Sequence, residues 1–220
     1  QNGIRLPQEV IEGKAESVII HGDWKSIELP VPNGRTMLSV FRGTRPQNRP
    51  SRYLNFDAFL LEQAIAEGAR LVCGEALGIA YAPSGEPFVR YRERAGGMGE
   101  IQTIRADFLV IATGVNQTPG MDLATDPFFG ALKLALPGFR PPKVRRALIC
   151  EMQAVEGSLR HMNAEVHFVQ YGSRDLRIEM SSLIPKGRWI TIVLIGPTVD
   201  AAQPSERLSI IERFLDLPHI

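Results

Sequence analysis

"NFDAFLLEQAIAEGARLVCGEA", residues 55–76, points to the fold class. Phe56, Phe59, Leu60, Ala64 and Ile65 recur at the three- and four-residue spacing of a helix with one apolar side. Asn55 stands where an N-cap belongs, and Gly68 ends the pattern before an apolar run at 70–73 that predicts a strand. Helix passing directly into strand is the unit of an α/β layer. Three short strands with turns at 83–85 and 96–99 follow, leading into "DFLVIATGVN", residues 107–116. That stretch predicts a buried strand at 107–112 and a small-residue turn ending at Gly114.

Upstream, alternating segments at 16–20, 25–29 and 36–41 predict antiparallel strands, with a turn at Pro32, Asn33 and Gly34. The Pro- and Arg-rich "RGTRPQNRPSR", residues 42–52, is a connector. Downstream, residues 116–142 are rich in Pro, Gly and aromatics and read as a crossover with one helix near 122–134. Strands follow near 144–153, 164–171, 175–184 and 189–195. A final amphipathic helix runs from an N-cap at Ser205 to Phe214, packed through Leu208, Ile211, Phe214 and Leu215. The fold expected is α/β to α+β. Residues 1–50 supply N-terminal strands of a substrate region, 51–115 an incomplete dinucleotide-binding layer, and 116–220 an antiparallel substrate-binding sheet with a C-terminal helix.

The 220 residues are 44% hydrophobic, enough for a substantial core, and carry a formal charge of only +1. Two basic zones stand out, Arg35, Arg42, Arg45, Arg49 and Arg52, and then Lys133, Arg140, Lys143, Arg145 and Arg146. No nucleic-acid motif or aromatic–basic interleaving accompanies them, so a nucleic-acid partner is not expected. Cys73 and Cys150 lie far apart in apolar contexts, which predicts reduced thiols and, with them, a cytoplasmic protein. The longest apolar run, residues 189–196, is too short for a transmembrane segment. The chain opens on Gln1 rather than Met, which suggests a segment of a longer protein.

Neither G-x-G-x-x-G nor G-x-x-x-x-G-K-[ST] occurs; Gly96, Gly97 and Gly99 follow no apolar run and read as a hairpin turn. Ser181 and Ser182 lie in no nucleophile elbow, and His161 and His167 complete no metal-ligand spacing. No metal is expected. Lys186 reads as a surface turn residue, and His167 as a surface or hairpin histidine.

"SRYLNFDAFLLEQAIAEGARLVCGEAL" (51–77), followed by "IRADFLVIATGVN" (104–116), resembles the middle of flavoprotein hydroxylases and reductases related to p-hydroxybenzoate hydroxylase. "SSLIPKGRWITIVLIG" (181–196) and the opening "GIRLPQEVI" resemble the geranylgeranyl reductase branch of that group. The resemblance covers most of the chain, through loose motifs in a telling order. It implies an FAD-dependent oxidoreductase, monooxygenase or reductase, acting on an apolar or aromatic substrate. The family's N-terminal glycine loop and its later Gly-Asp motif are both absent, and neither Cys73 nor Cys150 sits in the context of the Cys-Gly pair that such reductases carry near the isoalloxazine. The resemblance thus implies a central fragment whose partners include missing N- and C-terminal FAD-domain segments, with FAD held by the full-length parent and not by this segment.

Residue by residue, the resemblance places Arg52 against FAD, where its planar fork of donors suits a pyrophosphate; the alternative is an exposed arginine beside a helix start. Thr113 and Gly114 would let the backbone approach the cofactor, or simply end a strand. Phe128, Phe129, Phe139 and Trp189 either line an apolar substrate cavity or fill the core. Catalytic residues are not legible. Besides a fragment inactive alone, the other reading is a free-standing binding domain for a hydrophobic small molecule, without redox activity.

Overall fold

The computed structural model describes residues 4–44, 51–94, 99–114, 126–140, 143–155, 157, 159, 162, 164–170, 172–173 and 175–217. In chain order its elements are β1 (Gly13–His21), β2 (Ser26–Pro30), β3 (Met37–Ser39), α1 (Phe56–Ala66), β4 (Gly74–Tyr81), β5 (Pro87–Glu93) and β6 (Ile101–Arg105). There follow α2 (Pro127–Ala135), β7 (Ala147–Gln153), β8 (Ala164–Val169), β9 (Met180–Lys186), β10 (Trp189–Ile195), α3 (Pro197–Ala201) and α4 (Arg207–Leu215). They divide into two compact units, Gln1–Glu67 with Arg145–Ile220, and Gly68–Val144.

The first unit is built on a seven-stranded sheet in the order β2-β1-β8-β9-β10-β7, with β3 also paired to β1. The sheet is mixed, because β1 runs parallel to β8 while the other pairs are antiparallel. The expected turn at 32–34 forms, yet β2 and β3 both pair with β1 rather than with each other. β9 and β10 form the hairpin that the Pro-Lys-Gly turn suggests. The two faces of this sheet differ. Val169, Leu183, Ile190, Ile192 and Leu194 face α3 and α4 and build the main core with Val199, Ile210, Ile211 and Phe214.

α4 presents a different stripe from the expected one. Ile210, Ile211 and Phe214 are buried, whereas Leu208 is exposed. Its start also differs: Ser205 is no cap, since a 3₁₀ turn at Pro204–Glu206 comes first, where the Glu206 carboxylate accepts the Gln203 N–H at 2.7 Å. α1 forms as expected, with Asn55 Oδ1 accepting the Ala58 N–H at 2.8 Å. Only Phe59 of its stripe is buried, packed on Val10 and Tyr53.

The second unit holds the antiparallel meander β4-β5-β6, with α2 packed on β4. Asp126 caps α2 by accepting the Phe128 and Phe129 N–H groups at 2.8 and 3.2 Å. Two expected strands do not form here. Residues 70–73 are irregular, and so are 107–112, where Phe108 is 81% and Val110 71% exposed. A fully apolar strand is stable when neighbours pair with both its edges and cover both faces; among the described residues nothing pairs with 107–112. The hairpin turn at Gly96 and Gly97 lies outside the described residues, as do Arg45, Arg49, His161 and residues 116–125 and 141–142 of the expected crossover.

Candidate functional site

Register determines what the open face of the main sheet carries. Directly paired residues share a face, so Ile27, Leu29, Val18, Ile20, Val166, Phe168, Ile184 and Val193 lie together, opposite the face that α3 and α4 cover. No core cluster closes over them among the described residues. Ile27 is 46%, Leu29 47% and, farther along, Ile149 62% exposed. A broad apolar face left half open is what a ligand or a partner covers.

At one end of the sheet lies a cavity of about 540 Å³, lined by residues including Lys14, Met37, Val40, Val166, Ile184 and Lys186. It sits beside the start of β1, where Gly13–Ala15 pair with β3 and the pairing with β8 begins. Backbones converge tightly there: a side chain on Gly13 would meet Ser39 Oγ at 2.5 Å and the Pro185 carbonyl at 2.8 Å. Only glycine fits that crossing without displacing the β9 backbone.

Lys186, expected at a surface turn, is only 7% exposed. Its ammonium is 3.2 Å from Glu151 Oε1 and 4.2 Å from the centre of the Phe41 ring. The Thr191 hydroxyl donates to Glu151 Oε2 at 2.7 Å. A buried charge needs a partner and hydrogen bonds, and this network supplies both. It places a compensated ammonium in the wall of a cavity whose lining mixes apolar residues with Glu12, Lys14, Arg42 and Glu165, where a polar end of a ligand can be oriented.

The residues singled out in the sequence are dispersed. Arg52, in the first unit, is 67% exposed; its guanidinium bonds the Tyr53 hydroxyl, lies 4.4 Å from that ring's centre and is 4.0 Å from Glu62. Thr113 and Gly114, in the second unit, are exposed. Gly114 has φ +73, and a side chain there would meet nothing within 4 Å, so its backbone conformation and not a close approach calls for glycine. One guanidinium already engaged by Tyr53 and Glu62, plus an open turn, does not make a cradle for a dinucleotide, and no step through a flavin is derived from these residues.

Phe128 is buried in α2, and Phe129 stacks on Phe139 with centroids 6.1 Å apart, all within the second unit. Trp189 lies on β10 opposite Lys186 on the open face. None of the four aromatics lines the cavity. Of the cysteines, Cys73 is exposed and Cys150 half-buried, both free; burial, and then the neighbouring Glu151, push the Cys150 thiol up. No group of His, Cys, Asp and Glu able to hold a metal occurs among the described residues, nor does a helix long and apolar enough to cross a membrane.

No protein-family profile matches the sequence, and neither does any curated protein. Solved structures do match. A geranylgeranyl bacteriochlorophyll reductase-like protein from Thermoplasma acidophilum superposes with a TM-score of 0.64 at 16% identity, over 96% of this chain and 47% of that one. A triple mutant of a flavin-dependent brominase superposes with a TM-score of 0.57 at 13% identity, over 93% of this chain and 48% of that one. The chain spans about half the length of each of these structures, and over that span it shares their fold.

Proposed function

We propose that the chain supplies the substrate-binding sheet of an FAD-dependent oxidoreductase, a monooxygenase or reductase, whose substrate is apolar or aromatic. The observation that carries this reading is the half-open apolar sheet face ending in the cavity beside Lys186. Likeness in fold to a reductase-like protein and a flavin-dependent brominase supports the redox class. The exposure of Phe108 and Val110 supports a further point, that sheet neighbours come from segments beyond these residues. The protein's own part is then to bind and orient the substrate and to keep water from it, while the flavin supplies the electron transfer. Arg52, Thr113 and Gly114 would contribute to the cofactor's edge, and Trp189 to the substrate face.

The chain alone is expected to bind no flavin. One charged contact and one backbone approach are worth about 2–4 kcal/mol. Immobilising the ligand costs about 4 kcal/mol or more. Purified protein should be colourless, and added micromolar FAD should keep its fluorescence. Yellow protein with stoichiometric flavin would overturn the fragment reading. The alternative, a binding domain without redox activity, draws support from the cavity being built by the first unit alone. An apolar fluorescent probe bound by the chain, with no redox activity arising when FAD and the missing segments are supplied, would favour it.

A further inference from the structure

Four polar side chains form a row across the seam between β1 and β8. Ser26 Oγ is 2.7 Å from His21 Nδ1, and His21 Nε2 is 2.9 Å from His167 Nδ1. His167 Nε2, buried, lies 3.2 Å from Glu165 Oε2, within ion-pair range but without the alignment of a hydrogen bond. The two imidazole planes are 8° apart with centroids 5.2 Å apart. With so short an N···N contact, that spacing means the rings meet edge to edge in nearly one plane. The lone pair of one nitrogen therefore points along the N–H of the other. A metal would need both lone pairs to converge on a third point, so the geometry is that of a hydrogen bond.

This bond tolerates one added proton but not two. With one imidazole neutral, its bare nitrogen accepts; with both charged, two N–H groups oppose each other at 2.9 Å and two positive charges adjoin. The surroundings offer limited relief. On the same face Glu165 of β8 and Glu28 of β2 are the nearby carboxylates, with Glu28 exposed, and Asp23 and Lys25 lie in the exposed turn after His21. β9 presents Leu183 opposite His167 and Ser181 opposite Val169, neither of them charged. The His167 side chain is 12% exposed. Burial, and then the neighbouring His21, hold its pKa below the ordinary histidine value, with Glu165 acting in the opposite direction.

We infer that the His21–His167 pair is an acid-sensitive latch on the β1–β8 seam, and so on the cavity whose wall these strands build. For its bearing on the cavity the inference rests on the functional reading above; the latch itself does not. The sign follows from the lowered folded-state pKa. Its contribution is complete above the unfolded value of about 6.5 and is lost as pH falls below it, because the unfolded chain takes up the proton more readily.

The test compares thermal unfolding of the whole chain, without flavin or substrate, at about pH 7.5 and about pH 5.5. The wild type is expected to lose about 2–4 °C in Tm over this interval, and His21→Gln/His167→Gln less than half as much. An equal loss in both would overturn the latch. Should the double variant fail to fold, ¹⁵N titration of the wild-type imidazoles decides. The chain has only four histidines, so the pair is readily assigned. Two imidazoles titrating in linked steps, the second well below about 6.5, support the latch; two independent transitions near that value refute it. Because no flavin takes part, failure here leaves the oxidoreductase reading standing, and flavin results leave the latch untouched.

Discussion

Phe214→Ala should destabilise the first unit by about 3–5 kcal/mol, the usual cost of emptying a fully buried aromatic site. Phe214 is 0% exposed and packs in the core that joins α4 to the sheet. Leu208→Ala, six residues earlier on the same helix but 66% exposed, should change stability by no more than about 0.5 kcal/mol. Urea denaturation of the two variants checks the pair. Equal midpoints would mean that α4 does not lie on the sheet through Ile210, Ile211 and Phe214.

Glu151→Ala should cost about 3 kcal/mol, the low end for a broken buried ion pair, because Glu151 itself is still 29% exposed. The loss comes from stranding the Lys186 ammonium, which would keep the Phe41 ring but lose its carboxylate. Removing both charges in Lys186→Met/Glu151→Leu should recover most of it. Trp189, paired with Lys186, reports on the site in fluorescence-detected denaturation, while Trp24 is 97% exposed and contributes a nearly constant signal. A single variant as stable as the wild type would show that the ammonium reaches water unaided.

Sequence periodicity revealed elements whose partners are close in the chain. Asn55 and the stripe after it gave α1, because a cap is local chemistry, whereas the turn of the β9–β10 hairpin at Pro185–Gly187 was implied by the family resemblance of residues 181–196. The parallel pairing of β1 with β8 was hidden, since Val18-Ile19-Ile20 reads the same whether its neighbour runs up or down. Residues 107–112 have the composition of a central strand but not, among the described residues, the neighbours that would make one. Lys186 and His167 were misread for one shared reason: their burial depends on Glu151, Phe41 and His21, residues distant in sequence and silent in any local pattern. The open apolar face was legible only as scattered valines and isoleucines until register aligned them.

The seam also orders events in time. His21 meets His167 across 146 positions, with the whole second unit encoded between them. At about 5–20 residues per second, a ribosome takes roughly 7–30 s to make that span. Through that interval the newborn β1 carries Val18, Ile19 and Ile20 with, among the described residues, no strand to lie against except β2 and β3. Refolding in vitro inherits the same delay as a long loop to close, which slows it. Nascent chains halted before Ala164 should therefore be cut by protease within β1 and held by chaperones, and chains released past Ile195 should not.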